Sequence, residues 1–478
     1  MSKNNIMTNT KIYLFALVVL ALVMATAGFG CKLLSSAEQE AVKPITLSYW
    51  RVWDDSDAFD AIIKDYQVQH PNITINYRKF RMEEYESYLL NALAEDRGPD
   101  IFSIPITWLP KYENKISPLP AKYQMGYIIE KGTIQKEQVV ELRTKTSPTI
   151  REIKSLFFDT VSNDVIIDNR IYGLPLSLES LIMFYNKDLL NQNSIAQVPT
   201  DWSAFQDAVE KITKVSDTQK ILVAGAALGM GYNINYAFDI LSVLMMQAGA
   251  TMADGNGYAT FFKNIQQADG SGGYKTANPG QTGLQFYTDF ATVGKRVYSW
   301  DASLPNSFDA FTQGKLAFFF GYNFNIPQVR AQSRVNFGVA PIPQIAGNPS
   351  KNYADYWVET VTKASAHHNE SWDFLLFIND AGTNKSYPEI KKFLAKTSKP
   401  TALRDLRDSQ LSNEDLYPSA YQAPSAFSWY KGKNFDAAKQ AVIEMIEQYL
   451  KMSDPRQELS KIIGVAVEKI NQTVTQQY

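Results

Sequence analysis

The stretch from Ile45 to Pro105 constrains the fold more than any other part of the chain. "ITLSYWRVW" (45–53) is rich in β-branched and aromatic residues and reads as a strand. "SDAFDAIIKDYQVQHP" then sets Phe59, Ile62, Ile63 and Tyr66 on one helical face, with Ser56 as N-cap and Pro71 as the stop. "ITINYRKF" (73–80) alternates as a second strand, and "MEEYESYLLNALAEDRGPD" (82–100) is a helix that ends at Gly98-Pro99. "DIFSIP" (100–105) is a third strand. Strands joined by helical crossovers run parallel, so this order predicts an α/β sheet. Ligands of open α/β sheets bind beyond the carboxyl ends of the strands. Those ends are Trp53-Asp54-Asp55 and Pro105 through Trp108.

The whole chain has 478 residues, 45% hydrophobic and 20% charged, which is a globular composition with room for about two or three domains. Lys and Arg number 47 against 49 Asp and Glu, with no basic run, so no nucleic-acid footprint is present. Aromatic residues reach 13%. That fits a large packed core and equally an aromatic-lined saccharide cleft.

Residues 1–30 stand apart from the fold. Lys3 and Lys11 precede "IYLFALVVLALVMATAGFG", and no acid occurs before Glu38. A positive segment followed by a long apolar one is the pattern of an export signal, long enough to span a bilayer if uncleaved. The only cysteine, Cys31, closes this segment behind Gly30. The arrangement resembles a bacterial lipoprotein signal, which implies a lipid on Cys31 and a mature chain anchored on the outer face of the cell membrane. Gly28 and Phe29 depart from the usual lipobox, and an uncleaved signal anchor is the other reading. With one cysteine no internal disulfide is possible. Residues 31–44 are short, polar and unpatterned and read as a tether.

Further along, 121–156 reads as a helical middle. "YGLPLSLESLIMFYNKDLL" (172–190) is an apolar run that carries a lone acid, Glu179. An unpaired carboxylate in an apolar interior is costly, so Glu179 must meet water, a ligand or a partner. Thr200 or Asp201 caps a helix with Trp202, Phe205, Val209 and Ile212 on one face. "QQADGSGGYKTANPGQ" reads as an exposed loop, and the last residues form two amphipathic helices.

The ordered set "ITLSYW", "NALAEDRGPDIF", "RIYGLPLSLESLIMFYNKDLL", "VPTDWSAFQDAVEKI", "AFTQGKLAFFFGYN" and "VNFGVAPIP" resembles the extracellular solute-binding proteins of ABC importers, family 1, the maltose-binding-protein-like group. The resemblance implies a two-lobed, type II periplasmic-binding-protein-like α/β fold, with hinge-linked lobes and a ligand cleft between them. It implies lobe 1 as 45–178 plus about 358–398, and lobe 2 as 179–357 plus about 399–478. It further implies a sugar or oligosaccharide ligand, permease subunits as partners, a monomer, no cofactor and no catalysis.

By the same resemblance the ligand-binding candidates are Trp53, Asp54, Asp55, Trp108, Glu179, Tyr322, Asn323, Trp357, Trp429 and Tyr430. Carboxylates make charge-assisted hydrogen bonds to hydroxyls or cationic groups, and flat aromatic rings suit pyranose faces. Each residue also has a structural alternative. Trp53-Asp54-Asp55 fits an exposed turn, Trp108 packing under a loop, and Glu179 a salt bridge. Trp429 and Tyr430 fit a core cluster under the last helices. Asn186 and Asp188 in "YNKD" read as a helix start.

Three histidines with no metal-ligand spacing predict no metal site. Neither G-x-S-x-G nor a Walker motif occurs. A surface glycosidase with carboxylates from distant segments is the enzymatic alternative. A sensor or adhesion lipoprotein of the same fold, or a receptor for a non-sugar solute, are the binding alternatives.

Overall fold

A computed structural model describes residues 35–132, 137–268, 272–381, 386–452 and 455–476. The expected export signal and Cys31 lie outside these residues. Among the described residues no helix is long and apolar enough to cross a membrane.

The first sheet has the order Ile73–Lys79, Ile45–Arg51, Ile101–Pro105, Trp357–Thr362, Ile116–Ser117. The first three strands are parallel, as the helical crossovers Asp60–Gln69 and Met82–Ala94 require. Trp357–Thr362 returns antiparallel beside Ile101–Pro105, with Trp357 opposite Pro105 and Glu359 opposite Ser103. The second sheet has the order Lys214–Val215, Ile221–Ala226, Leu316–Gly321, Ile182–Asn186, Phe337–Pro341. Each sheet has its own core. Tyr49, Phe59, Phe102 and Trp372 are buried in one, and Phe184, Phe205, Trp300 and Phe318 in the other.

The chain passes between the two cores at three short segments that form one small sheet: Glu179–Ser180, Asn352–Asp355 and Ala426–Phe427. Leu178, Ala354 and Ala426 belong to the first core, and Leu181, Tyr353 and Trp429 to the second. Here the structure departs from one expected boundary. Ala402, Leu403 and Leu406 pack in the first core, whereas Asn323, Arg330 and Ile342 of the second lobe hold 415–422. The cause is a backbone return. The Leu178 N–H donates to the Pro400 carbonyl at 3.1 Å, and Leu403 bridges Phe157.

Three local expectations change. The helical middle is a hairpin of Lys122–Lys131 with Glu137–Thr146, and only Ile150–Leu156 of that span is helical besides. Cross-strand pairs such as Ile128 with Val140 and Ile129 with Val139 reward the β-branched residues there. The tether contains a helix, Ser36–Ala41, started by a reciprocal Ser35–Glu38 capping box. That helix rests on the hairpin at Gly126, where an added Cβ would lie 2.4 Å from the Ala41 carbonyl oxygen. The "QQADGSGGYKTA" loop pairs Ile265–Ala268 with Tyr274–Ala277. By contrast, Asp201 caps Trp202–Ile212 and Asn186 caps Lys187–Gln192, as their side-chain chemistry predicts.

Candidate functional site

The crossing segments bring the ends of both sheets together, and aromatic rings from both lobes meet there. Trp53, just past Ile45–Arg51, is 37% exposed. Its ring stacks on Phe324 of the second lobe at 5.5 Å and 20°. It meets Trp357 edge-on at 6.0 Å, and Trp357 lies 6.4 Å from Trp108. On the other side Phe324 stacks on Tyr322 at 5.7 Å and 13°, and Tyr236 stands edge-on to Tyr322 at 5.0 Å. The result is an aromatic belt that runs from Trp108 in one lobe to Tyr236 in the other. Tyr236 has a left-handed backbone, φ 61°, at the N-cap of Ala237–Gln247, a conformation rare for a bulky residue and frequent at functional sites.

Two groups of buried charge lie at the belt. The first is an ion-paired network in the first lobe. Arg51 Nη1 is 2.8 Å from Glu359 Oε1, and Arg51 Nη2 is 2.9 Å from Asp54 Oδ2. Lys399 Nζ is 2.8 Å from Asp54 Oδ1. Tyr49 OH and Ser103 Oγ donate to Glu359 at 2.6 and 3.0 Å. Burial works against the Asp54 charge, but Arg51 and Lys399 outweigh it and hold the carboxyl below its ordinary range.

The second group is a set of carboxylates at the hinge. Glu179, 7% exposed, accepts the Phe324 N–H at 3.3 Å. Burial pushes its carboxyl up to about 7, although Lys399 and that N–H pull it down. Asp355, half-buried, is the direct cross-strand partner of Glu179. Burial raises it to about 6. Asp239, in the first turn of Ala237–Gln247, accepts the Tyr322 hydroxyl at 2.8 Å. Burial, then Asp355, raises it to about 7.

The structure sorts the predicted residues. Trp53, Trp108, Glu179 and Trp357 converge on the cleft. Asp54 lies there too, with its carboxylate spent on Arg51 and Lys399. Tyr322 is fully buried behind Phe324, with its hydroxyl on Asp239. Asn323 turns away and clamps the 415–419 segment, donating to the Asp415 carbonyl at 2.7 Å and accepting from Ser419. Asp55 is an exposed ion pair with Lys79 at 2.8 Å.

Trp429 and Tyr430 are core residues, contrary to expectation. Trp429 stacks on Phe238 at 5.4 Å and donates to Ser242 at 3.0 Å, and Tyr430 bonds Thr473 on the last helix. Sequence reasoning missed Tyr236, Asp239 and Lys399. Asp239 carried a usable signal, because it is the one acid in the apolar run "NYAFDILSVLMM".

Elsewhere, a surface cavity of about 520 Å³ is lined by Tyr185, Arg330, Phe337 and Tyr417. It lies at the outer ends of the second sheet, where Tyr185 pairs with Gly338, rather than at the hinge. The lobes also touch beside the hinge, where Lys431 bonds Asp164, which accepts the Tyr356 hydroxyl at 2.7 Å. Among the described residues no three His, Cys, Asp or Glu side chains are placed to hold one metal ion.

Comparison with known proteins fits this architecture. Residues 61–399 match the family model for bacterial extracellular solute-binding proteins, and the chain belongs to that family. The family is one of binding proteins, not enzymes. The chain is 25% identical over 224 residues to an uncharacterised ABC transporter extracellular-binding protein of Pyrococcus horikoshii. That alignment covers 45% of this chain and 47% of the relative, so the chain spans about half the length of that relative. It is 21% identical over 393 residues to the galactooligosaccharide-binding protein of Bacillus subtilis, covering 79% of each. The fold matches the cyclic alpha-maltosyl-1,6-maltose binding protein of Arthrobacter globiformis at a TM-score of 0.66 and 16% identity, over 90% of this chain and 99% of that one.

Proposed function

We propose that this protein is the lipid-anchored, extracytoplasmic receptor of an ABC importer, and that it takes a sugar or oligosaccharide in the cleft between its lobes. The observation that carries the reading is the aromatic belt from Trp108 through Trp357, Trp53 and Phe324 to Tyr236, set beside hinge carboxylates. Aromatic faces suit the polarised C–H faces of pyranose rings, and carboxylates accept sugar hydroxyls. The likeness to the galactooligosaccharide-binding protein of Bacillus subtilis supports a saccharide. Trp53, Trp108, Glu179, Phe324 and Trp357 are the proposed contacts. Ligand favours closure by its higher affinity for the closed state, and the closed form docks on the permease. The protein acts as a monomer.

A thermal-shift screen of the full-length chain against saccharides, peptides and polyamines tests the ligand class, because binding raises apparent stability by mass action. Saccharides are expected to give the largest shifts. A response to peptides alone would refute the assignment. Incorporation of labelled fatty acid, lost in Cys31→Ala, tests the anchor.

A further inference from the structure

Where the edge strand Ile116–Ser117 of the first sheet meets the 431–433 segment of the second lobe, a cavity of about 440 Å³ has a one-sided charge. Four cations, Lys111, Arg170, Lys363 and Lys433, and one acid, Glu113, line it. Lys111 is 2.7 Å from Glu86, which is not part of the wall. Among the described residues Arg170, Lys363 and Lys433 have no ion pair and no side-chain hydrogen bond. Lys431, two positions before Lys433, has the ordinary arrangement and bonds Asp164.

The backbone fixes each of the three unpaired cations. Arg170 follows a two-residue turn in which Asp168 and Asn169 both have positive φ, 47° and 57°, and it pairs back onto Ile167. Asp and Asn tolerate that conformation. The Ile171 carbonyl next to it accepts the Leu119 N–H at 2.8 Å. The Lys363 N–H donates to the Lys115 carbonyl at 2.8 Å, and the Lys433 N–H donates to the Thr473 carbonyl on the last helix at 2.9 Å. Three separate elements thus bring like charges to one concavity. A concave wall of one sign concentrates the field that draws in a counter-ion. The cavity is distinct from the aromatic belt. Trp357 begins the strand Trp357–Thr362 and Lys363 follows its end, about 20 Å away at the usual strand rise.

We propose that this cavity binds a tetrahedral oxyanion, sulfate or phosphate, and that the bound anion bridges the two lobes. A guanidinium presents a planar fork that takes two oxygens of such an anion, and an ammonium meets it as a point charge. The three unpaired cations against Glu113 leave an excess of two positive charges, which matches a sulfate or hydrogen phosphate dianion. Arg170 and Lys363 belong to the first lobe and Lys433 to the second, so one anion held by all three ties the lobes together beside the Lys431–Asp164 contact. The site is independent of the saccharide cleft.

Calorimetric titration of the full-length chain in detergent, at neutral pH and constant ionic strength, tests this with sodium sulfate, sodium phosphate and sodium chloride. Sulfate and phosphate are expected to saturate a single site, and chloride to give no saturable heat. Arg170→Ala, Lys363→Ala and Lys433→Ala are each expected to weaken sulfate binding at least about threefold, the scale of one exposed charge contact. Lys211→Ala, on the exposed face of the helix Trp202–Ile212, should leave sulfate affinity as in wild type. None of the four side chains is buried, and circular dichroism reports whether each variant is folded. Absence of saturable sulfate and phosphate binding, or an equal response to chloride, overturns the site. An equal loss in Lys211→Ala reduces the effect to net charge and overturns the site as well. Loss confined to Arg170→Ala and Lys363→Ala overturns the bridge between the lobes.

Discussion

Two sets of buried charge lie near the hinge, one inside the first sheet's core and one at the crossing strands, and they are built on different plans. Around Arg51 every charge is met: Glu359 and Asp54 flank the guanidinium, Lys399 closes on Asp54, and Tyr49 and Ser103 fill the remaining Glu359 positions. At the hinge, Glu179, Asp239 and Asp355 receive hydrogen bonds from neutral groups and, among the described residues, no ion pair. Burial dominates both environments, and it raises even Glu359 despite the Arg51 guanidinium. Asp54 is held below the ordinary carboxyl range, whereas Glu179 and Asp239 are pushed up to about 7. A satisfied network holds a lobe together.

The largest effect that separates the two sets is expected at Arg51. Arg51→Met strands Glu359 in the core of the first sheet, and breaking a buried pair from one side costs about 3–5 kcal/mol. Urea unfolding is expected to show that loss, and the double change with Glu359→Leu to recover most of it. If the single and double variants are equally unstable, the network is not a compensated unit.

The hinge set is expected to behave in the opposite sense. Raised carboxyl values mean that the native protein keeps protons that the unfolded chain has already released. The stability tied to Glu179, Asp239 and Asp355 is therefore complete below the ordinary carboxyl range, and is lost as pH rises through about 6 to 7. Glu179→Gln keeps the acceptor for the Phe324 N–H and removes the titration. The unliganded variant should match wild type in acid and exceed it by roughly 1–3 kcal/mol in mild alkali, given about 1.4 kcal/mol per pKa unit. Parallel curves of unfolding free energy against pH for the two proteins would contradict the unpaired burial of Glu179.

The smallest effect belongs to Asp55, which shares the loop with Asp54 but pairs with Lys79 in solvent. Asp55→Ala should change stability by less than about 0.5 kcal/mol, the scale of exposed ion pairs, and leave saccharide affinity unaltered. A clear loss of affinity would place Asp55 in the site.

Much of this organisation is written in local periodicity, and that part was legible. The parallel first sheet follows from strand and helix patterns over 45–105, and its helices bury Phe59, Ile62 and Tyr66 as their spacing requires. Glu179 was legible for a different reason, because an acid in an apolar run has to be explained by its surroundings. Asp239 gives the same signal within a helix and was overlooked.

Trp429 and Tyr430 show what local sequence leaves open. A ring that covers a core and a ring that meets a sugar have the same composition around them. Only the approach of Phe238 and the last helix decides that these two are core. The 122–146 hairpin was misread because mixed charges hide its alternation, and its stabilising partners lie across the ribbon rather than along it. Charge balance between Arg51, Glu359 and Lys399 depends on residues more than 300 positions apart in sequence, beyond the reach of any local pattern.

The most direct test of the cleft is the affinity of the saccharide that gives the strongest thermal shift, measured by titration calorimetry for wild type and for Trp53→Ala. Trp53 is the exposed ring that reaches from the first lobe onto Phe324 of the second. A cleft that grips its ligand between these lobes predicts a loss of at least about tenfold, or 1.4 kcal/mol, with the melting temperature of the unliganded protein little changed. Affinity equal to wild type would contradict the placement of the ligand between the lobes.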